Sequence, residues 1–380
     1  MNMADQLLGK ASRPGTCEQV LELIKLRCKV DDGKLNPRGE ELVNVRNGML
    51  SWRAGALEPH SPLYLSTFQA QAEFRPGARS ELLDKFLGDI FPPDALALAE
   101  EIVGHLLIPT TKHQKAFMLV GEGANGKGTF LKLVTELLGR DAVAHRDLYS
   151  LEDSTFAAAD LYGKLANINL DLPSKKLESS SIFKSLVAGD PITAERKYQH
   201  AFTLHPRARL LFSANTMPRS DDRSFAYYRR WIIIPFPNKF EGRADNKRLL
   251  VELCRPEVLS ALLARGVAGL QRLEQQGEFS RCESVAAKVQ EYQVENDSSL
   301  EFIIEMLEHR GAGFHVSKIE VWEKYLWWCE QHRIKYPVNQ RHLNKIISSH
   351  FSVTDMQVGL DRKRCWSGLN WQGLKGEVKY

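Results

Sequence analysis

The run Gly121-Glu122-Gly123-Ala124-Asn125-Gly126-Lys127-Gly128-Thr129 sets four glycines, a lysine and a threonine within nine residues. Those residue types at that spacing suit phosphate chemistry. Glycines let backbone N–H groups converge on phosphate oxygens, a lysine reaches the terminal phosphates of a nucleotide, and a helix that begins there adds partial positive charge. The usual pattern puts Ser or Thr directly after the lysine; here Gly128 stands in that place and Thr129 follows. The flanks must therefore carry the inference. Lys115 to Val120 is strand-like, and Thr129 to Leu138 sets Phe130, Leu133, Val134, Leu137 and Leu138 on one helical face before Gly139 stops it. Strand, glycine loop and helix in that order predict binding of a nucleoside triphosphate.

Hydrolysis would need three further groups: an acid that helps place Mg²⁺, a sensor of the terminal phosphate, and a cation for the charge of the transition state. Each has a candidate downstream. Leu165 to Asp171 is an apolar strand ending in a carboxylate. Leu210 to Asn215 ends a strand in an amide, which either caps a turn or holds the attacking water or the γ-phosphate. Arg229-Arg230 precedes the apolar run Trp231 to Phe236; an arginine there either stays in solvent or reaches a phosphate across a subunit boundary. Between these, Ile192 to Leu204 reads as two short strands around a polar tip, Arg196-Lys197-Tyr198-Gln199-His200.

The elements that must position these groups follow from periodicity. Residues 105–280 alternate strand and helix, with strands at Ala116 to Val120, Leu165 to Leu170, Arg209 to Ser213 and Trp231 to Pro235; this predicts a three-layer α/β ATPase domain. Residues 1–104 read as a mainly helical domain, with short strand or loop pieces at Val43 to Trp52 and Pro59 to Leu65. The polar stretch 281–299 reads as a linker, partly helical. Residues 300–380 run helix, helix, helix and a strand pair around Asp361 to Trp371, the order of a winged helix. In that unit Asn339 to Ile347 would be a recognition-like helix carrying Arg341 and Lys345, and Arg362-Lys363-Arg364 beside Trp366 a basic wing for duplex backbone or a protein partner.

Composition bounds the class. The chain has 380 residues, 43% hydrophobic and 26% charged, with a net charge of +4. Residues 331–380 hold nine Lys or Arg against three Asp or Glu, so the tail is the basic part. The six cysteines form no C-x-x-C pair, which argues against zinc and against a disulfide framework. No apolar run is long enough to span a membrane, and a cytoplasmic setting is expected.

Taken in order, Gly121 to Thr129, Asp171, Gly189 to Tyr198, Ser213-Ala214-Asn215 and Tyr228-Arg229-Arg230-Trp231 resemble superfamily 3 helicases, most closely the poxvirus, phage and plasmid type of primase-helicase. Asn47 to Leu50, His60-Ser61-Pro62 and Phe86-Leu87 resemble the domain that precedes that helicase core, so the likeness spans about 40–380 and is strongest over 115–236. It implies an AAA+ ATPase assembled as a ring, usually a hexamer, that moves along one DNA strand and opens duplex or forked DNA during replication. By the same resemblance, Lys127 contacts the β- and γ-phosphates of ATP, Thr129 the phosphates or Mg²⁺, and Asp171 helps hold Mg²⁺. Asn215 is the sensor, and Arg230, or its neighbour Arg229, is the finger donated to the next subunit. Lys197 and Tyr198 match the positions that grip single-stranded DNA. Leu170-Asp171-Leu172 offers one acid where many relatives have a pair, leaving open which group polarises water. An ATP-gated initiator or loader with little unwinding of its own is the alternative. No paired acids suggest priming in the N-terminal region, where Asp31-Asp32-Gly33 reads as a turn, so any priming would fall to a separate primase or polymerase or to a further N-terminal portion.

Overall fold

The computed structural model describes residues 14–27, 30, 34–173, 175–220, 222–240, 248–311, 313–332, 334, 337–359 and 361–372. Asp31-Asp32-Gly33 lies outside them. After helix α1 (Pro14–Arg27), the chain enters an antiparallel sheet of β1 (Leu42–Val45), β2 (Gly48–Ser51) and β3 (Ala56–Glu58). The short strand pieces of the N-terminal region thus pair into one three-stranded sheet beside its helices. Val43, Val45, Leu50 and Trp52 are all buried, and that clustering fits short strands laid on a core better than a helical stripe.

Helices α2 (Glu81–Ile90) and α3 (Leu96–Leu106) follow. Ser80 caps α2 by accepting from the Leu83 amide, which satisfies one of the donors a helix start leaves free. Next come β4 (Ala116–Val120), α4 (Lys127–Leu138), β5 (Val143–Ala144), α5 (Leu148–Asp153), α6 (Thr155–Ala159) and β6 (Ala166–Asn169). Then α7 (Ser181–Ala188), β7 (Ile192–Ala194), β8 (Phe202–Leu204), β9 (Arg209–Ala214), α8 (Phe225–Tyr228) and β10 (Trp231–Pro235) complete this stretch. Strands β10, β4, β9, β6 and β5 form, in that order, one parallel sheet. Every residue of β4 and β9 is buried, as expected of central strands covered on both faces.

Helices α9 (Leu249–Leu253) and α10 (Pro256–Gln276) fold back onto the earlier part of the chain. Helix α10 crosses α3 so closely that a Cβ on Gly104 would stand 2.1 Å from the Gly266 carbonyl oxygen. Beside this crossing, the fully buried Glu101 carboxylate accepts from Arg272 Nε at 2.7 Å, the Ser280 amide at 2.8 Å and Ser280 Oγ at 2.6 Å. These bonds tie α3 to α10 and to the turn that follows α10. One apolar core consequently joins α2, α3, α4 and α10 to one face of the parallel sheet.

Residues 281–299, expected as a linker, hold helix α11 (Glu283–Asn296) packed against β10. Tyr292 is buried, with its hydroxyl donating to the Pro218 carbonyl oxygen at 2.7 Å, and Asn296 is buried, its Oδ1 accepting from the Ser220 amide at 2.7 Å. The C-terminal region comprises α12 (Ser298–Met306), β11 (Leu307–His309), β12 (His315–Ser317), α13 (Lys318–Gln331), α14 (Gln340–Phe351), β13 (Asp355–Val358), β14 (Lys363–Ser367) and β15 (Leu369–Trp371). It has its own core around Phe302, Tyr325, Trp328, Leu343 and Ile347. Strand β15 pairs with β11, and β12, β14 and β13 form a second small sheet. Among the described residues, no helix is long and apolar enough to cross a membrane.

Candidate functional site

The glycine loop joins β4 to α4, and its backbone turns twice through the left-handed region, at Ala124 (φ 57°) and Gly126 (φ 86°). Such alternation brings successive N–H groups toward one concavity. Gly126 is also steric: a Cβ there would lie 2.5 Å from Ile90 Cγ2 of α2. At Gly123 and Gly128 a Cβ would meet nothing within 4 Å, so the loop's outer side is open. No side chain caps the N-terminus of α4.

Lys127, at the first turn of α4, is buried. Its ammonium donates to the Gly121 carbonyl oxygen at 2.5 Å, the Glu122 carbonyl oxygen at 3.2 Å and Asn125 Oδ1 at 3.0 Å. Burial pushes its pKa below the ordinary lysine value, while the charge of Asp171 pulls it back up. A desolvated cation on neutral oxygens has unspent electrostatic capacity for an anion.

Register brings the other two groups to the same end of the sheet. Val120 lies opposite Ala214, and the Gly121 amide donates to the Ala214 carbonyl oxygen at 3.3 Å. Asn215, the next residue, therefore stands beside the start of the glycine loop, exposed. Asp171 is also exposed and leaves β6 at this edge, where the following Leu172 amide donates to the Ser213 carbonyl oxygen at 2.7 Å. Three adjacent strands thus deliver Lys127, Asp171 and Asn215 to one rim.

A groove of about 310 Å³ runs beside the loop, between Leu82, Phe86 and Ile90 of α2 and Ala124, Gly126 and Thr129, with Phe240 and Leu249 closing it. Nothing in the sequence marked it, because its two walls are some forty residues apart. Glycine patterning finds the phosphate side of such a site and not its apolar side.

Arg229 and Arg230 lie at the other end. Trp231 pairs with Ala116, the first residue of β4, so these arginines stand one five-residue strand below the glycine loop, about 17 Å at the usual rise. Arg230 is buried, donates to the Ala226 carbonyl oxygen at 2.5 Å, and leaves Nε with no partner. Burial lowers its pKa and Arg229 adds to that, opposed by Asp190 and Asp222. Arg229 is exposed and donates to Gln114 Oε1 at 3.2 Å. Asp222 itself is held well below the usual carboxylate range: burial alone would raise it, but Lys184 Nζ at 2.7 Å, Ser180 Oγ and Ser224 donate to it.

Strands β7 and β8 pair antiparallel, Ile192 opposite Leu204, as the two short strands expected. Lys197 and a fully exposed Tyr198 (φ 63°) sit at the tip. Arg196 does not join them: its guanidinium carbon lies 4.8 Å from the Tyr162 ring centre and 5.1 Å from that of Phe202, tying the hairpin to the turn before β6.

In the C-terminal region Arg341 and Lys345 are exposed one turn apart on α14. The basic turn differs from expectation in two respects. Arg364 pairs with Asp355, which also holds Lys318 Nζ at 2.9 Å. Trp366 is buried, with the Lys318 ammonium 3.7 Å over its ring. Arg362 and Lys363 are exposed. On α13, Tyr325 and Trp328 are core, while Trp327 is 53% exposed.

Two family descriptions match parts of the chain. Residues 6–92 match the family described as D5 N terminal like, and residues 119–230 match a family of unknown function, DUF5906. A protein of Acanthamoeba polyphaga mimivirus, provisionally named helicase L207/L206, is 27% identical over 138 residues, 34% of this chain and 14% of its own length. The chain thus spans about a seventh of that relative. Among solved structures, the A form apo structure of the NrS-1 C terminal region superposes with a TM-score of 0.52 at 14% identity, covering 92% of this chain and 89% of that one. A second apo structure of that region, residues 305–718, gives 0.50 at 14% identity over 80% and 79%. The chain therefore has a D5 N terminal-like segment ahead of a mixed α/β region with a central parallel sheet, and its fold is that of the NrS-1 C terminal region.

Proposed function

We propose that this chain is an ATP-driven DNA helicase of the superfamily 3 type, acting in replication as a ring of copies, with an AAA+ P-loop core and a C-terminal winged helix. The observation that supports the reading is the division of the parallel sheet: Lys127, Asp171 and Asn215 crowd one end, and Arg229 and Arg230 lie one strand length away. A single copy cannot close that gap. A ring in which the arginine end of one copy faces the glycine loop of the next does so without rearranging the fold.

Within such a site the Lys127 ammonium exchanges loop carbonyls for β- and γ-phosphate oxygens, and the amides at the start of α4 face the same charge. The apolar groove against α2 takes the base. Thr129 and Asp171 would hold Mg²⁺, a modest protein ligand set that suits a metal whose remaining ligands are phosphate oxygens and water; bound there, the metal neutralises the phosphates. Asn215 orients water or the terminal phosphate. From the neighbouring copy Arg230, with the more exposed Arg229 beside it, supplies the cation for transition-state charge. Lys197 and Tyr198 bear on DNA in a sequence-independent way, one by charge and one by its ring. The mimivirus relative's helicase name supports this reading.

Steady-state ATPase with and without single-stranded DNA, alongside strand displacement on a forked duplex, tests it. The reading requires DNA-stimulated turnover and displacement. ATP turnover that ignores DNA, with no displacement by the oligomer, would sink it in favour of an initiator or loader.

A further inference from the structure

A second groove, of about 330 Å³, opens at the root of the β7–β8 hairpin, where β8 meets the turn before β6 and the N-terminal residues Asn36, Thr67 and Phe68. Its walls are Phe68, Leu161, Tyr162 and Leu204, and its rim carries Lys164, His205 and Arg207. Among the described residues, no aspartate or glutamate lines it. His205 and Arg207 are exposed and Lys164 is half-buried, its ammonium donating to the Asp141 carbonyl oxygen at 2.6 Å. Three basic side chains around an apolar, part-aromatic floor, with no acid to neutralise them, match one ligand chemistry: a phosphate at the rim and a planar base on the floor.

We infer that this groove holds one nucleotide of the DNA strand gripped at the hairpin tip, with the phosphate against Arg207 and Lys164 and the base against Tyr162 and Phe68. The inference rests on the DNA-translocating reading above. Two placements support it. Strand β8 leads from the tip into the groove, and Tyr198 is six residues from Leu204, at most about 20 Å of extended chain. The Arg196 guanidinium, stacked on Tyr162 and Phe202, is spent on fixing the hairpin to the groove wall, so tip and groove hold a set spacing. A strand could then be held at two points, by charge at the tip and by base insertion at the root.

Fluorescence anisotropy of a labelled oligothymidylate, titrated with the full chain across a salt series, tests this. Arg207→Ala and Lys164→Ala are each expected to weaken binding about three- to tenfold and to flatten the salt dependence by about one counterion. Oligonucleotides carrying 5-iododeoxyuridine should crosslink to Tyr162 or Phe68. Wild-type affinity and salt slope in both variants, while Lys197→Ala weakens binding, would overturn the groove and leave the helicase reading standing. Wild-type protein that binds no single strand even at low salt would overturn both. A chain that binds duplex but not single-stranded DNA would also remove the groove proposal.

Discussion

The two ends of the central sheet are built from the same four long strands and have opposite characters. At the carboxyl end, loops are open, glycines leave uncovered space, and Asp171 and Asn215 stand exposed beside a buried lysine. At the amino end, cations collect and are packed down on neutral oxygens. Lys115 donates to the Arg229 carbonyl oxygen at 2.6 Å, Arg209 to that of Leu106 at 2.6 Å, Arg230 to that of Ala226 and Arg229 to Gln114. Burial pushes Arg209 down to about 9. One end opens onto a buried lysine, and at the other the charge of Arg230 is partly countered by Asp190 and Asp222. Parallel strands make this separation unavoidable, since residues before and after a strand lie on opposite rims. On the reading proposed above, a complete hydrolytic site forms only between copies.

Breaking the receiving end should have the largest effect. Lys127→Ala is expected to bring ATP turnover to background, measured by phosphate release, because the group proposed to meet the terminal phosphates is gone. Removing the donating end should cost nearly as much in turnover and far less in binding. Arg230→Ala is expected to lower the rate about a thousandfold while a fluorescent ATP analogue still binds within a fewfold of wild type; the same assay on Arg229→Ala tells which of the adjacent arginines acts. Lys197→Ala touches neither end, so ATP turnover should stay within about twofold while strand displacement is lost. The smallest expected effect is on folding: Gly126→Ala puts a side chain at φ 86° and against Ile90, which should cost about 1–3 kcal/mol in denaturant unfolding. A variant with unchanged stability would mean that α2 does not press on the loop.

How legible was this in the sequence? The receiving end was almost wholly so. Its residues follow short apolar runs, and in a parallel sheet the end of such a run is a place as well as a position, so Gly121, Asp171 and Asn215 could be put on one rim before any coordinates. The N-terminal sheet was not, because Val43 to Trp52 is too short for its period to be told from a buried loop. The groove walls at Phe86 and Ile90 were invisible because they face a partner some forty residues on. The basic turn shows the same limit at shorter range. Arg364 reads as free until β13 is paired with β14, which sets Asp355 beside it, and the pairing of β12 with β14 sets Trp366 beneath Lys318. The polar stretch 281–299 is helical as read but packed rather than a free linker: Tyr292 and Asn296 are buried in its helix, and composition averages such residues away.

The split between the two ends is tested most directly by mixing two inactive variants, Asp171→Asn and the double variant Arg229→Ala/Arg230→Ala, and measuring ATP turnover as the ratio is varied. Each mixed ring would contain interfaces where an intact glycine-loop end meets intact arginines. Activity should therefore rise from background to about a quarter of wild type at equal amounts, the share expected for random head-to-tail assembly. Turnover that stays at background at every ratio, with mixed oligomers demonstrably formed, would contradict a site shared between copies.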